Sequence, residues 1–203
     1  MARCAKRASA FRKIPIRLRR LICVKRAPAS DATLYALVPG NAMNAAKMER
    51  GLILFFRLAM AWTFLYAGLR QALFSDFSVV PFLQHTKTFH DFFAVFATAQ
   101  WAPVTSFLVK WGHLLIGLSL LTGLMVRTSA VFGMLLLGTY WLAHMDFPYI
   151  ETKVNFLLDY HIVYIAVIAY LIVKQAGHVW GVDGWLEKQR WIVEHPGLRP
   201  LLG

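Results

Sequence analysis

Apolar residues do not alternate along this chain; they gather into four long runs separated by polar or aromatic breaks. The runs extend from about Gly51 to Phe74, Val104 to Val126, Thr128 to His144 and Phe156 to Val173. Each approaches the roughly 20 residues that carry a helix across a bilayer. Hydrocarbon offers no water to free N–H and C=O groups, so helix is the state such a run adopts. The pattern predicts an all-α integral membrane protein, a four-helix bundle. Spans two and three are separated only by Arg127 and its neighbours, and spans three and four by about ten residues around Pro148. Connections this short make consecutive helices pack antiparallel.

The 75–103 connection is longer than a turn requires. Phe82, Leu83, Thr86, Phe89, Phe93 and Phe96 recur there at roughly helical spacing, which predicts an interfacial helix in the first outer loop. After the last span, Trp180, Trp185 and Trp191 accompany a short amphipathic helix that Asp183 is placed to cap and Pro196 to end. The expected division is a basic, disordered tail over 1–47, a transmembrane domain over 48–175 and a cytoplasmic interfacial tail over 176–203. The abrupt change at Met48-ERGLILFFR predicts Met43 or Met48 as the working start.

Composition agrees with a membrane setting: 58% of residues are hydrophobic and 16% charged, against roughly 45–50% and 25% in soluble domains. The net charge of +12 would suit nucleic acid, but 12 of the 22 Lys and Arg precede Gly51. Basicity confined to one tail points to anionic membrane lipid and away from nucleic acid. Between the spans stand only Lys87, Arg127 and Lys153, while Lys174, Lys188, Arg190 and Arg199 follow the last span. Positive segments stay inside, so both termini are expected in the cytoplasm and the protein in the inner membrane. Cys4 and Cys23 lie in the tail with no CxxC pair, which argues against a membrane thiol oxidoreductase.

Charged groups in hydrocarbon cost several kcal/mol unless paired or hydrated, so polar residues within the spans are the site candidates. The alternating span directions put Arg70, Gln71, Lys110, His113, His144, Asp146, Asn155, Asp159 and His161 in the outer half, and leave Arg57 near the inner side. Lys110 and His113 share a helix face with Gly117; Asn155 and Asp159, four apart, share another. Asp159 is expected to pair with Lys110 or Arg70. The bland alternatives are snorkelling cations and a packing pair. His113 and His161 also invite a bis-histidine haem reading. His144, beside Trp141, reads as interfacial, and no cluster has metal-ligand spacing. Gly112, Ser119 and Gly123 form a small-residue stripe for close helix approach, with Gly133 and Gly138 in a similar role.

These residues carry a resemblance. His113-LLIGLSLLTGLMV-Arg127 resembles the second span of the DoxX/DoxD group, and Asn155-FLLDYHIVYI with Gly177-HVWGVDGW resembles its C-terminal half. The resemblance covers about Met48 to Trp185, with His113 standing where many members carry glutamate. It implies a four-helix membrane bundle and, for the DoxD branch, the large subunit of a thiosulfate:quinone oxidoreductase working with a smaller partner, DoxA. Such an enzyme passes two electrons from thiosulfate to membrane quinone and yields tetrathionate. In that reading Arg70 and Lys110, with Asn155, attract the thiosulfate dianion. His113 and His161 handle quinone protons, with Asp159 setting their charge. No flavin, iron–sulfur or haem motif marks a bound cofactor, which keeps a second reading alive, a non-catalytic membrane scaffold for a redox enzyme. A small transporter ranks last, since no inverted repeat is visible. The sequence leaves homo-oligomerisation open.

Overall fold

The structure, a computed structural model, describes residues 39–73 and 77–202. The predicted disordered tail falls on residues of which 1–38 lie outside the described ones. Lys47–Gly203 forms one compact unit, and 39–46 open the first helix.

Helix α1 runs Pro39–Leu73. Two short helices follow, α2 Val80–Gln84 and α3 His90–Phe96. The single interfacial helix expected in this loop is therefore two pieces, broken at His85–Phe89. Helices α4 Ala102–Thr122 and α5 Val126–Ala143 come next, then α6 Tyr160–Val173. The C-terminal segment holds α7 Asp183–Leu186 and α8 Arg190–Glu194 between single 3-10 turns. Among the described residues three helices, Met43–Leu73, Ala102–Thr122 and Val126–Ala143, are long and apolar enough to cross a membrane; α6, at 14 residues, is a shorter apolar helix. Phe55, Trp62, Phe107, Leu115, Phe132 and Leu135 are exposed on these helices, as lipid-facing side chains are.

Span four does not begin at Phe156. Residues β1 Met145–Asp146, β2 Tyr149–Ile150 and β3 Thr152–Phe156 form a three-stranded antiparallel sheet in the order β1-β2-β3. Met145 pairs with Ile150, and Tyr149 with Phe156. The apolar run Phe156-Leu157-Leu158 reads as helix by hydropathy, but the β-branched Thr152 and Val154 favour pairing with β2, and Leu157 adopts φ 55°, outside helical space. The helix starts only where Asp159 caps it, its carboxylate accepting the His161 N–H.

Side chains from α1, α4, α5 and α6 share one core, including Phe64, Ile116, Leu120, Ala130, Ile168 and Leu171. The tightest crossing is α1 against α4. A Cβ on Gly68 would lie 2.6 Å from the Leu114 backbone N, and one on Gly117 2.6 Å from the Leu65 backbone N. The close approach thus falls on Gly68 and Gly117, not on the predicted stripe, whose Gly112 faces open space, as does Gly138. Gly123 works differently: at φ 72° it ends α4 in the left-handed conformation and lets the chain reverse into α5. Ser119 donates to Ser129 Oγ at 2.7 Å, joining α4 to α5 beside that turn. A smaller cluster of Val79, Leu83, Phe93 and Ala143 seats α2 and α3 over the other end of α4 and α5.

The α4–α5 turn is clasped by the C-terminal segment. Arg57, 2% exposed, donates to the carbonyls of Ala176 at 2.6 Å and Val179 at 2.8 Å. Fully buried Asp183 accepts the N–H groups of Met125 at 2.7 Å and Val126 at 3.0 Å. Asp183 therefore caps α5 rather than its own helix, where Val182 holds the cap position. A carboxylate suits that place, because the first N–H groups of a helix lack partners and carry partial positive charge. At the same end Lys174 pairs with Glu49, and this hydrogen bond holds the lysine above its ordinary pKa.

Candidate functional site

The opposite end of the helices collects polar aromatic side chains. Asp159 Oδ2 lies 2.6 Å from His161 Nδ1, and both side chains are buried, at 2% and 5% exposed. A carboxylate only accepts, so Nδ1 carries the hydrogen and Nε2 is the ring nitrogen turned away from Asp159. His113 is held similarly: Nδ1 donates to the Val109 carbonyl one turn back at 2.8 Å. On α5, His144 Nδ1 donates to the Tyr140 carbonyl at 2.8 Å, and its Nε2 lies 2.8 Å from Glu151 Oε1 on the loop between β2 and β3.

Tyr140 is the hub. Its ring is 5.7 Å from the His113 ring and stacks on the His161 ring at 6.0 Å, with 15° between planes. The His144 and His161 rings are 5.2 Å apart, and Tyr160 lies 4.1 Å from His161. These groups wall a cavity of about 250 Å³, closed by Gln71, Phe64 and Ala67 of α1 and by Tyr164 of α6. Gln71 reaches Tyr140 with one end of its amide, while its buried Oε1 has no hydrogen-bond partner. An unsatisfied polar atom in a buried wall is unfavourable by roughly 1–3 kcal/mol unless something meets it.

Of the predicted residues, the structure unites His113, Asp159 and His161. Asp159 takes His161 as its partner; neither Lys110 nor Arg70 is its ion pair, because the cap geometry of α6 turns its carboxylate onto its own first turn. Lys110 lines a separate cavity with Ser78, Ser106 and Phe107. Arg70 is exposed in the last turn of α1. Asn155 is exposed on β3, so it shares no helix face with Asp159. Sequence reasoning missed Tyr140 and gave His144 a merely interfacial role. Their spacing of four on one helix, at the end of an apolar run, was the available signal. Tyr140 packs against both His113 and His161, so the two rings do not bracket an open haem plane. Among the described residues, no group of three or more His, Cys, Asp or Glu is placed to hold a metal ion.

The sequence model of the DoxX family matches residues 52–145, from the middle of α1 through the start of the sheet. Residues 52–145 form a DoxX domain. The matched segment includes three sides of the cavity, Gln71, His113, Tyr140 and His144; the fourth side, Tyr160, His161 and Tyr164, lies beyond it. No curated protein and no solved structure matches the chain. The DoxX match and the three helices long and apolar enough to cross a membrane together mark a membrane protein in contact with lipid.

Proposed function

We propose that this DoxX-domain protein is a redox-linked membrane subunit of the DoxD kind, in which the histidine cavity receives the ring of a membrane quinone. The observation that carries the reading is the meeting of His113, Tyr140, His161 and the unpartnered Gln71 Oε1 in one buried wall. A cavity of about 250 Å³ suits a substituted six-membered ring, since roughly 150 Å³ accommodates benzene. Aromatic walls stack on the ring's faces, and polar groups at its edges meet its oxygens.

The overall reaction is two thiosulfate plus quinone plus two protons giving tetrathionate plus quinol. Each thiosulfate gives up one electron as the new S–S bond forms, and the quinone takes both. Within the cavity, Tyr140 and the His161 ring are the nearest proton carriers for the two quinol oxygens, with Asp159 holding the His161 tautomer. Thiosulfate is left to a DoxA-like partner and to the cationic Lys110 cavity, because Arg70 and Lys110 are not in the histidine wall.

The same proposal takes α6 as a fourth membrane crossing, with both termini on the cytoplasmic side of the inner membrane. Fourteen helical residues rise about 21 Å against about 30 Å of hydrocarbon. Exposed Phe156 and Leu158 extend the apolar length where the helix begins.

Calorimetric titration of the detergent-purified protein with a tail-less dimethoxybenzoquinone tests the reading. Saturable one-site binding, weakened about tenfold in Gln71→Leu or Tyr140→Leu, is expected. Absence of saturable binding would remove the quinone site and favour the scaffold.

A further inference from the structure

Tyr140 has a second cavity on its other side. This space of about 190 Å³ lies between the α2–α3 layer and helices α4 and α5. Its wall includes Phe82, Phe93, Phe96, Val109, Leu136 and Tyr140. The Phe82 ring is 5.5 Å from the Tyr140 ring, and Tyr140 lines both cavities.

The lining threonines have no hydrogen left to donate to a polar guest. Thr105 Oγ1 donates to the Trp101 carbonyl at 2.9 Å, and Thr139 Oγ1 to the Leu136 carbonyl at 2.7 Å, each within its own helix. Every other wall residue apart from Tyr140 is hydrocarbon or phenyl, which leaves hydrocarbon as the matching occupant. Phe92, 57% exposed, stands at the rim, so the cavity meets the surface where α3 faces the lipid interface.

A polar cavity and an apolar cavity that meet at Tyr140, in a protein embedded in lipid, match a ligand with a hydrogen-bonding ring and an apolar chain. We infer that the cavity between α2–α3 and α4–α5 holds the first isoprenoid unit of the quinone whose ring occupies the histidine cavity, the rest of the chain leaving past Phe92 into lipid. This rests on the quinone reading above and assigns it a chain site. Scaled from the benzene cavity, the volume takes about seven carbons, room for one five-carbon isoprenoid unit.

Two filling variants, Thr139→Phe and Leu136→Phe, test it by calorimetry in one detergent, with thermal melts confirming folding. The probes are dimethoxybenzoquinone without a chain and the same ring bearing one prenyl group. Wild type is expected to bind the prenylated ring about tenfold or more tightly than the bare ring. In either filled variant that advantage is lost while bare-ring binding stays unchanged. An advantage that survives filling overturns the chain site but leaves the ring site standing. Failure of both probes to bind wild type overturns both. A phospholipid that copurifies with wild type and is lost from Thr139→Phe, by native mass spectrometry, would make the occupant a lipid acyl chain and overturn the assignment.

Discussion

Asp159 grips His161 twice, with Oδ2 2.6 Å from the ring Nδ1 and Oδ1 3.0 Å from the backbone N–H. One carboxylate thus starts α6 and fixes which nitrogen of the ring faces the cavity. Asparagine is as good a helix cap as aspartate, so Asp159→Asn keeps the helix start while losing the carboxylate's hold on the tautomer. The expected result is a thermal midpoint near wild type with quinone turnover lower by roughly 10²-fold, the scale of a lost acid–base contribution. Asp159→Ala loses the cap as well and is expected to lower stability by about 1 kcal/mol. Wild-type turnover in Asp159→Asn would show the pair to be structural.

The α1–α4 crossing makes a paired prediction. Gly117→Ala forces a methyl group onto the Leu65 backbone, which cannot yield without moving a helix, and is expected to destabilise by about 1–3 kcal/mol. Gly112→Ala on the same helix meets nothing within 4 Å and is expected to be neutral or stabilising by up to about 1 kcal/mol. Detergent thermal melts of the two variants separate a packing glycine from a spare one.

Arg57 stands apart from lipid by donating to carbonyls of the C-terminal segment and lying within electrostatic reach of Asp183. Arg57→Met leaves those carbonyls unmet and the buried Asp183 without its cation, an expected loss of about 3 kcal/mol or more. Arg57→Lys restores charge but not the planar fork, so only part of the stability returns. Limited trypsin cleavage after Lys188, in the C-terminal segment, reports the release of the clasp directly; unchanged cleavage in Arg57→Met would refute the clasp.

The proposed orientation, with both termini in the cytoplasm, puts the β-sheet loop outside. Lys153→Cys in a cysteine-free background is expected to react with a membrane-impermeant maleimide added to intact spheroplasts. Labelling only after lysis would invert the topology.

Much of this architecture is legible from hydropathy, because a run long enough to span a bilayer has few alternatives to helix. The ends of α4 and α5 lie within a few residues of their predicted bounds. The failures lie where backbone pairing or capping overrides hydropathy. Phe156 to Leu158 is as apolar as a span, yet it serves as strand and loop leading to the Asp159 cap. Asp183 reads as a local cap, and only the fold brings it to Met125 and Val126, nearly 60 residues earlier (58 and 57 positions). His113 and His161 were recognisable as deep polar residues. Tyr140 was not, because one tyrosine in an apolar run looks like packing until its neighbours are known.

The most direct test is anaerobic reduction of a prenylated quinone by the purified protein with thiosulfate, with and without a DoxA-like subunit, alongside Tyr140→Leu. The account predicts quinol and tetrathionate in equal amounts, with turnover lost in Tyr140→Leu. Full turnover in that variant, or none in wild type with the partner present, would contradict it.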